Sequence, residues 1–503
     1  FVSGSRLSLL AKKVASTYGA AETGTGPATA RRQARTLPLV TTDLTRLSAT
    51  ELLDGYRAKS FSPVEVIKAV LAEVDRREGD LNAFCHLDPE AALRDARASE
   101  TRWQKGEPQG LIDGVPATAK DIAPAKGWPT RRGSWTSGEG EIAAFDSAPV
   151  ARLREQGAVL FGKTNLPEMA WKGVTDSPRF GITRNPWNLE RTPGGSSGGA
   201  SAAVSAYLGP MSIGTDGSGS VRIPAAFCSI FGMKPTYGVI PQFPLASYMS
   251  DIVHTGPLTR TVRDGALMLT VMAGRDRRDW TAPPLDADHM TGLDDGIAGL
   301  RIAYSADFGH VPVDPDVARV AQAAVSAFAE LGAHVERADP GFEDPRDVID
   351  MIYQAGAATV LAGIPEAEHG RLDPGYLAFA GKGFAPSAKD YVAVAMNRRN
   401  QLAAQMVAFH ERYDLLISPQ VGLTAIEAGR DFPPDRGHSH WFDWAGFSYP
   451  FNLTQQPAAT VPCGLAADGM PVALQIVGPK FADRMVLRAA RAFETARPFP
   501  ALA

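Results

Sequence analysis

Apolar stripes with helical spacing alternate along the chain with short apolar runs bounded by glycine or proline. "SATELL" sets Ser48 three residues before Glu51, and "SPVEV" sets Ser62 before Pro63 and Glu65. Both read as helix starts, where a serine and a glutamate three positions on satisfy the free N–H groups of the first turn. Val66, Ile67, Val70, Leu71 and Val74 then fall on one face, as in a helix packed on something large. Further on, the pattern becomes helix, glycine, strand. "SAPVARLREQGAVLFG" predicts a helix opened by Pro149 and stopped by Gly157, then a strand over 158–161. "DPDVARVAQAAVSAFAELGAHVER" repeats the unit between Pro315 and Gly332, again with a strand after it. "DLLISP" (414–419) and "PVALQIVG" (471–478) read as buried strands.

Helices alternating with buried strands predict an α/β fold. The expectation is a single large domain over residues 41–503, with a central mixed twisted β-sheet covered by helices on both faces. Residues 1–40 stand apart. They hold Arg6, Lys12, Lys13, Arg31, Arg32 and Arg35 against only Glu22, and show no apolar period. They are expected to be a disordered tail, a targeting segment or a vector-derived extension.

Composition narrows the function classes. The 503 residues are 44% hydrophobic and 21% charged, with a formal net charge of −4, an ordinary globular balance. No basic run follows the first 40 residues, so nothing suggests a nucleic-acid face. Cys85, Cys228 and Cys463 are few, odd in number and far apart, which argues against a disulfide framework or a cysteine metal site. Among the histidines, His438 and His440 of "HSHW" make the only close pair, better explained by an exposed loop than by a metal. The longest uncharged stretch, 192–215, is too rich in Gly, Ser and Pro for a membrane helix. No metal, cofactor, nucleic acid or membrane partner is expected. A cytoplasmic monomer or homodimer is.

Two motifs fit a pattern but not its physics. "GAVLFGKT" (157–164) matches a phosphate loop, yet its middle residues are Ala, Val, Leu and Phe. Those make a strand, not a glycine-rich turn whose N–H groups wrap a phosphate. "GSSGG" (195–199) matches a nucleophile elbow centred on Ser197. That elbow follows a strand, whereas "NPWNLERTP" before it is made of turn formers.

The longer stretch "PGGSSGGASAAVSAYLGPMSIGTDGSGSVRIP" behaves differently from a linker. Two Gly/Ser turns flank a helical segment, so backbones must approach closely there. Apart from Asp216, it holds no residue suited to activate a serine. A buried lysine can do so, because desolvation favours its neutral form. Lys120 ends the apolar "GVPATAK". A lone lysine is ordinarily a solvated surface charge, and only its context argues otherwise.

With these segments in place the chain resembles the amidase signature family. Its Gly-Gly-Ser-Ser-Gly-Gly turn is followed here by Gly-Thr-Asp-Gly-Ser-Gly-Ser-Val-Arg, and Ser196 and Ser220 stand 24 residues apart. "GVPATAKD", "GAVLFGKTNLPEMA", "RNPWNLERTPGG", "GPLTRTVRDGALML" and "NLTQQPAATVPCG" extend the resemblance over about residues 45–495. It implies a Ser–cis-Ser–Lys triad. Ser220 would be the nucleophile, Ser196 the proton bridge across a cis Gly195–Ser196 peptide, and Lys120 the base. It implies an oxyanion hole of backbone N–H groups from Gly217, Ser218, Gly219 and Ser220. Ser218 departs from the family, which commonly has glycine there, and can serve only if its φ stays negative or strain is accepted. Ser197 would support Lys120 from behind, and Asp216 with Arg222 would brace the second turn. The implied reaction is hydrolysis of a linear amide, or of an anilide, ester or carbamate, through an acyl-enzyme. The substrate would be a small-molecule amide or carbamate. The glutaminase subunit of a tRNA-dependent amidotransferase shares these motifs and stays open as the alternative. "HWFDWAGFSYPFN" supplies Trp441, Phe442, Trp444 and Phe447, either as an aromatic acyl pocket or as core.

Overall fold

Both capping boxes form. Ser48 Oγ accepts from Glu51 N at 3.3 Å while Glu51 Oε2 accepts from Ser48 N at 2.7 Å, opening the helix Ala49–Ala58. Ser62 and Glu65 do the same for Pro63–Leu81. The computed structural model describes residues 43–244, 249, 251–284 and 288–503. Leu44–Ala503 make one compact unit. The expected N-terminal tail, residues 1–40, lies outside the described residues.

Eleven strands form the main sheet. In chain order they are β1 (Phe84–Leu87), β2 (Pro116–Lys120), β3 (Val159–Thr164), β4 (Met211–Asp216), β5 (Phe231–Lys234) and β6 (His254–Thr259). They continue as β7 (Arg301–Tyr304), β8 (His334–Arg337), β9 (Leu415–Pro419), β10 (Ala458–Leu465) and β11 (Pro471–Val477). Across the sheet the order is β1-β3-β2-β4-β6-β5-β10-β11-β9-β7-β8. Strands β3, β2 and β4 are mutually parallel neighbours, as are β9, β7 and β8, and the strands between these two patches pair antiparallel. The sheet is therefore mixed, as expected.

Strand periodicity divides most of the core between two large apolar clusters. On β9, Leu415 and Ile417 join one apolar cluster and Leu416 joins the other. The first cluster receives Val66 and Ile67 of the helix Pro63–Leu81, Phe328 of Pro315–Glu330 and Phe493 of Asp483–Ala496. The second receives Ile352 of Arg346–Leu361, Met406 of Arg399–Arg412 and Phe451 of the turn Pro450–Leu453. Helices thus cover both faces.

One strand runs further than its pattern suggests. The apolar run of β3 ends at Phe161, yet pairing continues through Lys163 to Thr164. Lys163 does not stop the strand because its charge is met inside the fold by Asp121, 2.7 Å away, with both side chains buried. The phosphate-loop pattern is thus strand, and its lysine is an internal ion-pair partner. Lys120 and Thr215 sit at the C-terminal ends of the parallel pair β2 and β4, in register at Ala119 and Ile213. That edge is where open α/β sheets gather their chemistry.

Candidate active site

Lys120 closes β2 and is fully buried. Its Nζ lies 2.7 Å from Ser196 Oγ and 3.0 Å from Thr215 Oγ1. Among the described residues no carboxylate pairs with it. Burial therefore pulls its pKa down to about 7, with the Asp216 charge opposing the fall. As a neutral amine it has N–H to donate to Thr215 Oγ1 and a lone pair to accept the Ser196 O–H.

The first Gly/Ser turn is packed too closely for side chains. A Cβ at Gly195 would come within 2.3 Å of Val174 O, and Gly194 takes φ +79°. The Gly195–Ser196 peptide is cis. Ser197 begins the helix Gly198–Ser205. Its Oγ donates to Thr215 O at 3.2 Å and accepts from Thr215 N at 3.3 Å, and its N–H donates to Ser220 O at 3.1 Å. Ser197 thus supports Thr215, which touches Lys120, and ties the two turns together.

The second turn is built around Asp216. Its carboxylate accepts from Gly219 N at 2.7 Å, Val221 N at 3.2 Å, Arg222 Nε at 2.9 Å, Arg222 Nη2 at 3.0 Å and Asn452 Nδ2 at 2.9 Å. Arg222 in turn donates to Ser448 O at 3.0 Å, Gln475 Oε1 at 2.5 Å and Asn452 Oδ1 at 2.6 Å. Burial would raise the Asp216 carboxyl, but the Arg222 guanidinium outweighs it and holds the group well below the usual range. This ionised pair braces the turn.

The brace changes the donor set expected for an oxyanion. The Gly219 N–H is taken by Asp216. Among the described residues none accepts from the N–H of Gly217, Ser218 or Ser220, so three donors stay available. Gly219 carries the left-handed kink at φ +123°, which leaves Ser218 out of that region. The departure from glycine at 218 therefore adds no backbone strain of that kind. Ser220 is 5% exposed, against 1% for Ser196 and none for Ser197, so a reactant reaches Ser220 most readily.

Trp441, Phe442, Trp444 and Phe447 are all buried within one core cluster. Trp441 and Trp444 press on Gly173, where a Cβ would meet both rings at 2.9 Å. This backs the Val174 segment behind Gly195. A residue the sequence did not single out lies between these aromatics and the site. Tyr353, on the helix Arg346–Leu361, stands edge-on to Phe442 at 5.4 Å and to Trp441 at 6.4 Å. Its Oη would be 2.2 Å from a Cβ at Gly217. Thr215 was also missed, although it sits inside the Gly-Thr-Asp motif. Tyr353 had no local signal at all. Among the described residues no group of three or more His, Cys, Asp or Glu is placed to hold a metal, and no helix is long and apolar enough to cross a membrane.

The Amidase family model matches residues 65–487. An acylamidase of Rhodococcus erythropolis is 38% identical over 465 residues, covering 90% of this chain and 96% of that protein. A glutamyl-tRNA(Gln) amidotransferase subunit of Salinispora arenicola is 36% identical over 486 residues, covering 90% of this chain and 98% of that one. A bacterial aryl acylamidase of the amidase signature enzymes superposes with a TM-score of 0.84 at 31% identity, covering 90% of this chain and 96% of that one.

Proposed function

We propose, from a chain that belongs to the amidase signature family and hydrolyses C–N bonds of amides, a stand-alone acylamidase working through Ser220, Ser196 and Lys120. The observation that carries this is a buried lysine with no counter-ion among the described residues, 2.7 Å from Ser196 Oγ. Ser220 Oγ attacks the amide carbonyl while its proton passes to Ser196 and the Ser196 proton passes to Lys120 Nζ. The oxyanion is held by the N–H groups of Gly217, Ser218 and Ser220. Return of the proton through Ser196 to the amine nitrogen breaks the C–N bond and leaves a Ser220 ester. Water, deprotonated by the same relay, then releases the acid and restores Ser220. Anilides, esters and carbamates all present a carbonyl and a leaving group to this arrangement.

The similarity to the amidotransferase protein favours a second reading, glutamine hydrolysis within a complex. One experiment separates the two: the purified chain is offered aliphatic amides, anilides, aryl carbamates and glutamine. Turnover of anilides by the chain alone, lost by at least about a thousandfold in Ser220→Ala with the fold intact, is the expected result. Activity confined to glutamine in the presence of partner subunits supports the second reading. A fully active Ser220→Ala enzyme sinks both.

A further inference from the structure

Ser218 brings a hydroxyl into the turn that carries the oxyanion donors. It is wholly buried, and its Oγ finds no hydrogen-bond partner among the described residues. Buried hydroxyls are costly to leave unpaired. The hydroxyl that approaches it from another element is that of Tyr353. Burial pushes the Tyr353 phenol well up, and the Ser218 hydroxyl offsets part of that rise. The two hydroxyls are close enough to act on each other, yet Ser218 Oγ still lacks a well-formed hydrogen bond. The neighbouring Asp216, Arg222 and Ser448 side chains are already engaged. Asp216 and Arg222 are paired with each other, and Ser448 Oγ accepts from Gln420 at 2.9 Å.

We propose that Ser218 Oγ and Tyr353 Oη form an acyl-side subsite for an uncharged oxygen, a hydroxyl or ether, carried one or two atoms from the scissile carbonyl. The placement follows from the turn. A carbonyl oxygen on the Ser218 N–H brings the neighbouring atoms of the acyl group within reach of that residue's own side chain. Tyr353 is fixed from behind by Phe442 and Trp441, so its hydroxyl meets the guest with little freedom to lose. The guest is uncharged because the nearby carboxylate and guanidinium neutralise each other, leaving no net charge to match. The aromatic segment acts here through Tyr353, not as the wall of the pocket.

This rests on the acyl-enzyme reading, and its test is arranged to tell the two apart. The probes are 2-hydroxypropananilide and 2-methylpropananilide, in which a methyl replaces the hydroxyl. The quantity read is the ratio of their kcat/KM values. The parent enzyme is expected to favour the hydroxy substrate roughly tenfold, about the worth of one well-placed hydrogen bond. Ser218→Ala and Tyr353→Phe should each bring the ratio close to one. A purely structural role would lower both substrates together and leave the ratio unmoved, and that result overturns the proposal. So does a parent ratio of one or below. Thermal melting establishes folding, and either variant alone suffices if the other does not fold. A ratio near one with Ser220→Ala inactive sinks the subsite alone. An active Ser220→Ala enzyme sinks the triad reading and the subsite with it.

Discussion

Lys120 and Lys172 are both buried lysines, and the fold makes opposite use of them. Lys172 Nζ has three carboxylates around it: Asp431 at 2.7 Å, Asp176 at 2.8 Å and Asp373 at 3.1 Å. Burial would pull its pKa down, but those charges outweigh burial and push it above the usual lysine value. It is a permanent cation that ties three distant segments together. Among the described residues Lys120 is hydrogen-bonded only to hydroxyls, so burial prevails over the Asp216 charge and the amine is brought to about 7. At these two positions counter-ions, not depth, decide whether the lysine is held as a cation or brought toward its neutral form.

The contrast can be broken most severely at Lys120. Lys120→Met should lower kcat/KM on a hydrolysed anilide by about a thousandfold or more while the melting curve stays cooperative. If Lys120 is the base, the parent's kcat/KM should rise with pH through about 7, because the amine accepts a proton only when deprotonated. The residual activity of Lys120→Met should have lost that limb. Steady-state kinetics between pH 5 and 9 read both. Lys172→Met reverses the pattern. It strands three carboxylates and should destabilise the fold by about 3–5 kcal/mol in urea titrations. The smallest effects are expected at Thr215. Thr215→Val removes the hydroxyl that orients Lys120 and should cost roughly tenfold in kcat, with the acid limb in place. Thr215→Asp gives Lys120 a counter-ion and should move the limb upward by about one pH unit or more. An unmoved limb would show that another group sets it.

Much of the fold was legible because its signals are local. Ser48, Ser62, Pro315 and Gly332 mark helix ends through hydrogen bonds and φ values that depend on nearby residues. Strand order is not local. β2 pairs with β4 rather than with its sequence neighbour β1, and nothing within either strand says so. Lys163 shows the same limit, since a charge reads as a strand end until Asp121 is placed beside it. Within the site, the Gly/Ser turns stand out by composition, and the resemblance assigns their serines. Lys120 taken alone reads as surface. Its lowered pKa depends on having no paired carboxylate among the described residues, which no local pattern records. Tyr353 arrives from a helix more than a hundred residues downstream and touches the site with a single hydroxyl.

The contacts of Lys120 also bear on how the chain acquires its activity. They span 76 residues to Ser196 and 95 to Thr215. Such separations close late and slowly, after local helices have formed. Until β2 and β4 have paired and been covered, water reaches the lysine and keeps it protonated. A partly folded chain would therefore hold the proposed nucleophile without its proposed base, and on that reading hydrolytic power arrives only with the last long-range contacts.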